Sequence, residues 1–294
     1  MILLGWIGCT APVVPVEETG RPEAPAEREG HAEAAQRRGG SSTRWPADRT
    51  GAQIGGALPP AYEPSGITWH AGLGALLLVS DGGVVSRMNL DGSGLVSWTF
   101  AGDFEAITVA DPTSTLAYVG VERPDAIVEV DLSAGALTGR SWRVDAWMAS
   151  ADENLGLEAL AFVPDGAHPY TNGTSGGLFY AALQETGDIY VFDVDLAASG
   201  VVTEVDRFAT GRTDLSDLHF HGETGVLYAL FDTANLLREM TTGGTPLAEY
   251  SAPGTDQEGV TLVPGCPRST TTLVIAEDVG ASVTSYARYP IACP

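Results

Sequence analysis

Acidic residues recur in this sequence where strands are expected to begin, and again where the next strand is expected to end. The acids at strand starts are Glu63, Asp103, Glu105, Glu158, Asp214, Asp217, Asp256 and Glu258. The polar residues after second strands are Asp81, Glu122, Gln184, Glu185, Asp232, Glu277 and Asp278. Carboxylates brought together repel one another, so such a cluster must spread out, hold protons or bind a cation.

The chemistry indicated is cation binding through oxygen ligands. All-oxygen ligation selects hard ions, with Ca²⁺ first and Mg²⁺ or Mn²⁺ next. The predicted ligands are Glu105, Glu158, Asp217, Glu258, Asp81, Glu122, Asp232 and Asp278. The alternative is that these acids cap turns or face water, since the whole chain carries a net charge of −23.

A histidine is the best candidate for proton transfer. His219 and His221 alternate along one predicted strand, close to Asp217. In the other repeats the position of His219 holds a small or hydroxyl side chain. The alternative is a channel histidine satisfied by its neighbours.

Trp142 and Trp147 lie in a long segment before the third repeat, where they either wall a ligand pocket or belong to its packing.

The elements that must position these residues are repeated. The segments EPSGITW, DFEAITV, GLEALAF, DLSDLHF and DQEGVTL share one pattern, and their third residues lie 40, 53, 58 and 42 positions apart. A repeat of this length containing four short strands is typical of a β-propeller blade. In a propeller the first strand of each blade lines the central channel. Its start faces the same side as the loop between the second and third strands, so both sets of acids would meet at one mouth.

The predicted fold is an all-β propeller of five four-stranded blades. Four strands are visible in each of the first four repeats, whereas the fifth has only EGVTLV, TTLVIA and SVTSYARY. Propellers commonly complete their last blade with a strand from the other terminus. Residues 51–60, GAQIGGALPP, are the only candidate for that strand.

The two C-terminal cysteines fit this arrangement. Cys266 follows the first strand of the fifth blade and Cys293 follows its third, and both places lie on the same face of an antiparallel blade. A disulfide between them is predicted, which implies an oxidising compartment. The alternative is two unrelated thiols.

The N-terminal segment indicates export and a tether. Residues 1–9, MILLGWIGC, resemble the lipobox of bacterial lipoproteins, with Cys9 as the lipidated residue. Residues 10–50 are rich in Pro, Glu and Arg and form a predicted disordered tether, and residues 51–294 form the propeller domain. We therefore expect a monomeric lipoprotein of the bacterial cell envelope, held to the membrane by its lipid alone. The alternative is an uncleaved apolar terminus with a free thiol.

Composition excludes several classes of function. All 15 basic residues are arginine and stand against 38 acids, so nucleic acid is not an expected partner. The absence of lysine excludes Schiff-base chemistry, pyridoxal-phosphate attachment and the phosphate-binding lysine of P-loops and kinases.

The repeated phrases resemble a known family. EPSGITW, NLGLEALAF, DLSDLHF and DQEGV, in this order and spacing, are similar to the SdiA-regulated family of bacterial β-propellers over about residues 60–288. The resemblance implies an exported or envelope-attached propeller with no settled reaction. Related calcium-dependent lactonases, esterases and phytase-like propellers share its architecture and acidic mouth. Asp217 departs from the pattern, because glycine or alanine stands there in the other repeats.

Three functions remain open from the sequence. The first is a propeller whose mouth holds Ca²⁺ and binds a small molecule or an envelope protein. The second is a metal-dependent hydrolase of esters, lactones or phosphoesters. The third is a structural interaction platform with an empty channel. The fold cannot choose among them, because propellers support all three.

Overall fold

The computed structural model describes residues 43–152 and 154–294. The described residues all belong to one compact unit. The expected leader, most of the expected tether and the predicted lipidation site Cys9 lie outside the described residues. In the described ranges, no helix has the length and apolar character needed to cross a membrane.

Twenty strands form five antiparallel sheets of four strands each within the described residues. Blade 1 contains β2 (Pro64–His70), β3 (Ala75–Ser80), β4 (Val84–Met88) and β5 (Val96–Thr99). Blade 2 contains β6 (Phe104–Thr108), β7 (Leu116–Val121), β8 (Ala126–Asp131) and β9 (Ala136–Arg143). Blade 3 contains β10 (Leu157–Pro164), β11 (Gly177–Leu183), β12 (Asp188–Val194) and β13 (Val202–Ala209). Blade 4 contains β14 (Leu215–His221), β15 (Val226–Phe231), β16 (Leu236–Met240) and β17 (Pro246–Ser251). Blade 5 contains β18 (Gln257–Leu262), β19 (Thr270–Glu277), β20 (Ser282–Pro290) and β1 (Ala52–Gln53).

The blades form a closed ring. The first strand of each blade packs against the first strand of the next, and β18 packs against β2 to complete the circle. The structure therefore confirms the predicted five-bladed β-propeller.

The core lies between the faces of neighbouring blades. Strand β3 is buried on both faces, which explains its continuous apolar sequence ALLLVS, whereas most of the outer strand β5 is exposed. Aromatic side chains fill the gap between blades 2 and 3, where the rings of Tyr118 and Phe179 meet edge to face at a centroid distance of 5.3 Å. Each blade is thus held by its neighbours rather than by a core of its own.

The N-terminal strand closes the ring as predicted. Strand β1 pairs with β20 through Ala52 and Gln53. The Gln53 side chain extends this short pairing, because its Oε1 accepts the Val283 amide hydrogen over 3.0 Å. A three-residue 3₁₀ helix, Gly55–Ala57, follows. A Cβ atom at Gly55 would lie 2.6 Å from the Ala281 carbonyl oxygen, so glycine is needed for this close approach.

The folded unit begins before residue 51, within the segment that the sequence assigns to the tether. Thr43 pairs with Tyr250 of the outer strand of blade 4. The Trp45 side chain is buried, and its ring lies 5.5 Å from the rings of Tyr286 and Tyr289. Burial of one large aromatic side chain accounts for the difference, because composition alone does not show that Trp45 has a packing partner.

The predicted disulfide is confirmed. Cys266 and Cys293 are bonded; they are 27 positions apart in the sequence, and their Cα atoms are 5.8 Å apart. The bond links the loop after β18 to the end of the chain after β20.

Candidate functional site

In blades 1, 2, 3 and 5, residues at the start of the first strand or the end of the second strand line one cavity of about 230 Å³, to which blade 4 contributes no described residue. We call this cavity the acidic mouth. It is lined by Glu63, Ser65, Asp81, Asp103, Glu105, Glu122, Arg123, Asn154, Glu158, Gln184, Glu258 and Asp278. Six of the eight predicted ligands are in this set, namely Glu105, Glu158, Glu258, Asp81, Glu122 and Asp278. The topology therefore brings together most of the acids that the repeats single out.

Each first strand starts with a bulge, and in blades 1, 2, 3 and 5 the bulge residue lines the mouth, whereas Ser216 of blade 4 is buried and donates to the Gln257 carbonyl. The pairing of the first and second strands shifts register in all five blades at the same position, the third residue of the repeated phrase. The residues at the five bulges are Ser65, Glu105, Glu158, Ser216 and Glu258. A bulge adds one unpaired residue and re-aims its side chain. The alternation of apolar residues in the sequence gave no sign of these bulges.

Three carboxylates of blade 2 are placed closely enough to share one ion. Oxygen atoms of Asp103, Glu105 and Glu122 lie within 4.8 Å of one another, and we call these residues the triad. The reason is local: Asp103 and Glu105 flank the start of β6, and Glu122 follows β7, the strand paired with it. The Glu122 amide also donates to the Asp103 carbonyl over 3.2 Å. Asp103 was not among the eight predicted ligands.

Burial and mutual repulsion dominate the electrostatics of the mouth. Burial raises the pKa of Glu105 to about 8, with further contributions from the charges of Glu122 and Asp81. The pKa of Glu258 is raised to about 9, again mainly by burial. Burial and the Glu105 charge hold the pKa of Glu158 well above its ordinary value. These buried carboxyls therefore favour protons or a cation over free negative charge.

Two buried oxygens in this wall lack a hydrogen-bond donor among the described residues. They are Oε2 of Glu258 and Oε1 of Gln184. A buried oxygen without a donor is costly unless something else satisfies it. The donor set, composed of carboxylate and amide oxygens, is the kind that a hard divalent cation prefers. The residues present therefore fit such an ion.

One basic side chain lines the mouth within the described ranges. The Arg123 guanidinium donates through Nη2 to Asp103, and its Nε lies 3.5 Å from Oε2 of Glu122. Its Nη1 donates to the Asn154 side chain. Arg123 and Asn154 were missed by the sequence reasoning, which followed the repeated acids and, in the loop before blade 3, considered only the tryptophans.

Two of the eight predicted ligands do not line the acidic mouth. Asp217 is fully buried, and its Oδ1 and Oδ2 accept the amide hydrogens of Leu218 and Val260 over 2.8 and 2.7 Å. Asp232 accepts the Gln257 amide hydrogen over 2.9 Å. Both carboxylates therefore accept hydrogen bonds from backbone amides and do not line the mouth.

His219 also lies away from the lining of the mouth. Its Nδ1 is 3.2 Å from Oγ1 of Thr261, which itself accepts the Trp69 amide hydrogen over 2.9 Å. Since that hydroxyl accepts from Trp69, its own hydrogen is available to Nδ1. Burial, and then the neighbouring His221, lower the pKa of His219 to about 3, so the ring is neutral.

The two tryptophans of the segment before blade 3 serve packing. Trp142 is fully buried, and its indole nitrogen donates to the carbonyls of Asp195 and Ala198. Trp147 packs edge to face on Phe192 at a centroid distance of 5.6 Å. Neither residue lines the acidic mouth.

The fold and the mouth define a five-bladed propeller with an oxygen-rich site at one end of its channel. The family described as "Phytase-like: Esterase-like activity of phytase" matches residues 79–233, more than half of the 294 residues. The chain belongs to this phytase-like family.

Comparison with solved structures agrees on the fold. The crystal structure of glutaminyl cyclase from Myxococcus xanthus is similar to this chain, with a TM-score of 0.56 and 12% identity, over 79% of this chain and 93% of that one. Identity this low shows the fold alone. Curated proteins give no match to the sequence. The narrower resemblance to the SdiA-regulated family stays a prediction.

Proposed function

We propose that the acidic mouth binds a divalent cation, Ca²⁺ first, and that the protein hydrolyses ester or phosphoester bonds there. The observation that carries the proposal is the convergence of the triad with Glu158 and Glu258 in one cavity, including a buried Glu258 oxygen without a donor in the part of the chain that the structure describes. The esterase-like description of the matching family supports hydrolysis over simple binding.

The division of roles follows from position. Asp103, Glu105 and Glu122 would hold the ion, because their oxygens already lie within one coordination shell of each other. A bound divalent cation would supply Lewis acidity toward the oxygen of an ester. A bound cation would favour the ionised form of Glu258, whose Oε2 has no hydrogen-bond donor among the described residues and could then take the proton of the attacking water and return it to the leaving alcohol.

A binding propeller without catalysis is the second candidate. It is favoured by one observation: His219, the predicted proton-transfer residue, is buried away from the mouth. In that case the mouth would hold Ca²⁺ and receive a small molecule or an envelope protein. The two candidates agree on the cation and differ only in turnover.

We also propose that the protein acts outside the cytoplasm, anchored through Cys9. Support comes from the Cys266–Cys293 disulfide, which is typical of oxidising compartments. The test is fractionation of bacterial cells that express the full chain. The wild type should sediment with membranes and Cys9→Ala should not; equal membrane content of the two would contradict the anchor.

Hydrolysis is tested with the full chain on a panel of aryl esters, lactones and aryl phosphoesters. Each assay is run in excess EDTA and then with Ca²⁺, Mg²⁺, Mn²⁺ or Zn²⁺. We expect turnover of at least one substrate class that needs Ca²⁺ and is lost in Glu105→Gln, while Glu204→Gln, the same change on the outer strand β13 away from the mouth, retains it. Ca²⁺ binding without turnover of any substrate would favour the binding propeller.

A further inference from the structure

Arg123 occupies an unusual place in the acidic mouth. Among the twelve residues that line the cavity, eight carry carboxylates and only Arg123 carries a positive charge. Its guanidinium contacts two members of the triad, Asp103 and Glu122, while the third member is Glu105. The only basic group of the mouth therefore sits on the same carboxylates that are best placed to hold an ion.

One oxygen of the Glu122 carboxylate is already held by the backbone. Oε1 of Glu122 accepts the Gly156 amide hydrogen over 3.1 Å, so Oε2 is the oxygen left for a cation. That oxygen is the one 3.5 Å from Nε of Arg123. Oδ2 of Asp103 is likewise engaged by Nη2. A divalent ion and the guanidinium would compete for Oε2 of Glu122 and for the Asp103 carboxylate.

The charge density of the divalent ion and of the Arg123 guanidinium determines which of them stays on the carboxylates. A divalent ion concentrates two charges in a small sphere and coordinates carboxylate oxygens directly, whereas a guanidinium spreads one charge over a plane. The two repel each other at short distance. The Arg123 side chain is 48% exposed, so it can turn toward solvent while the buried carboxylates stay in place. The ion therefore replaces Arg123 rather than joining it.

We propose that Arg123 is an exchangeable internal counterion: the divalent cation takes its place on Asp103 and Glu122, and the released guanidinium binds an anionic group of the substrate. This inference rests on the proposed function and adds a substrate class to it. Without a positive partner, the mouth repels anions. With the ion on the carboxylates and the guanidinium released from them, the mouth offers two positive groups to a phosphoester or to an ester that carries a carboxylate.

The first test is calorimetric titration of the full chain with Ca²⁺. Arg123→Gln should bind Ca²⁺ about tenfold more tightly than wild type, because a competing charge is gone. Arg123→Lys keeps the charge and should stay close to wild type. The matched control is Arg143→Gln, since Arg143 is an exposed arginine paired only with Asp145 among the described residues. Unchanged or weaker Ca²⁺ binding by Arg123→Gln would overturn the proposal that the ion displaces Arg123 from the carboxylates.

A second variant tests the same proposal if Arg123→Gln does not fold. Asn154→Ala leaves every charge in place and removes one partner that holds the Arg123 guanidinium. It should tighten Ca²⁺ binding in the same direction by a smaller factor. Ca²⁺ affinity equal to wild type in a folded Asn154→Ala protein would contradict the exchange.

The third test addresses the substrate class with inorganic phosphate as the probe. Phosphate should bind to the Ca²⁺-loaded wild type and to Arg143→Gln, and its affinity should fall at least about tenfold in Arg123→Gln, because a charge-assisted contact is lost. Retention of phosphate binding by Arg123→Gln would overturn the role in anion recognition. If the wild type binds no Ca²⁺, the proposed function and this inference fail together. If it binds Ca²⁺ and Arg123→Gln shows no gain, the exchange alone fails.

Discussion

Oδ2 of Asp217 accepts the Val260 amide hydrogen over 2.7 Å and ties the first strand of blade 4 to that of blade 5. Glycine or alanine stands at this position in the other blades, because first strands approach closely. A Cβ atom at Gly66 would lie 2.7 Å from the Glu105 carbonyl oxygen. Blade 4 instead uses a buried carboxylate as a link between strands. The residue that breaks the repeat therefore acts in the architecture of the channel.

Replacing Asp217 should affect stability rather than cation binding. Asp217→Ala leaves the amide groups of Leu218 and Val260 without their acceptor, so we expect the free energy of unfolding to fall by about 1–3 kcal/mol. Urea unfolding monitored by circular dichroism measures this change. Ca²⁺ affinity, measured by titration calorimetry, should remain that of the wild type. A variant of normal stability with weakened Ca²⁺ binding would restore Asp217 to the set of ligands.

The melting temperature should fall with rising pH when no cation is bound, and bound Ca²⁺ should weaken or reverse that fall. The pKa values of Glu105 and Glu258 are raised from 4.5 to about 8 and about 9, so the folded protein keeps protons that the unfolded chain releases. This stabilisation is complete below pH 4.5 and is lost as pH rises through the folded pKa values. In EDTA, the melting temperature should therefore fall between pH 6 and 9. Saturating Ca²⁺ should suppress or reverse this fall, because it favours the ionised carboxylates.

The control for this pH effect is the double variant Glu105→Gln, Glu258→Gln. It removes two groups that change protonation on unfolding, so its melting temperature in EDTA should vary less between pH 6 and 9. An equally steep fall in the double variant would assign the effect to other groups. Differential scanning calorimetry at fixed ionic strength provides both data sets.

The disulfide should contribute a large part of the stability of blade 5. Its cysteines are 27 positions apart, and closing a loop of that length stabilises by about 3.5 kcal/mol in the chain-entropy model. The double variant Cys266→Ser, Cys293→Ser should lose stability of that order in denaturant unfolding. Reducing agent should lower the stability of the wild type and leave the double variant unchanged. Equal stability of the oxidised wild type and the double variant would contradict this contribution.

His219 should be dispensable for the chemistry of the mouth. Its ring is neutral and buried, and Nδ1 is engaged by the Thr261 hydroxyl. A His219→Asn variant that folds should keep wild-type Ca²⁺ affinity and the wild-type rate on any substrate found. A loss of turnover without a loss of stability would return His219 to the role of proton-transfer residue.

The repeats were enough to predict the fold. The five strand-start phrases gave the number of blades, and the missing strand in the last repeat pointed to residues 51–60, where Ala52–Gln53 close the ring. The cysteine positions followed from the same topology. These features could be predicted because they depend on strand order and alternation, which the sequence displays directly.

The candidate site could be predicted only in part. Equivalent positions in the repeats identified Glu105, Glu158 and Glu258, because symmetry carries them to the same mouth. Asp217 was misplaced, since its side chain turns to a neighbouring backbone that the sequence does not show. Arg123 was missed because it lies just after the repeated acid Glu122, where nothing in the repeat marks its contact with Asp103.

The most direct test of the central claim is thermal melting of the full chain in excess EDTA and then in saturating Ca²⁺, Mg²⁺, Mn²⁺ or Zn²⁺. A ligand that binds only the folded state raises the melting temperature according to its affinity. We predict a rise that is largest for Ca²⁺, that disappears in the triple variant Glu105→Gln, Glu158→Gln, Glu258→Gln, and that persists in Glu204→Gln, a change on the outer strand β13 away from the mouth. A melting temperature unchanged by every ion, or a Ca²⁺ response retained by the triple variant, would contradict a cation site in the acidic mouth.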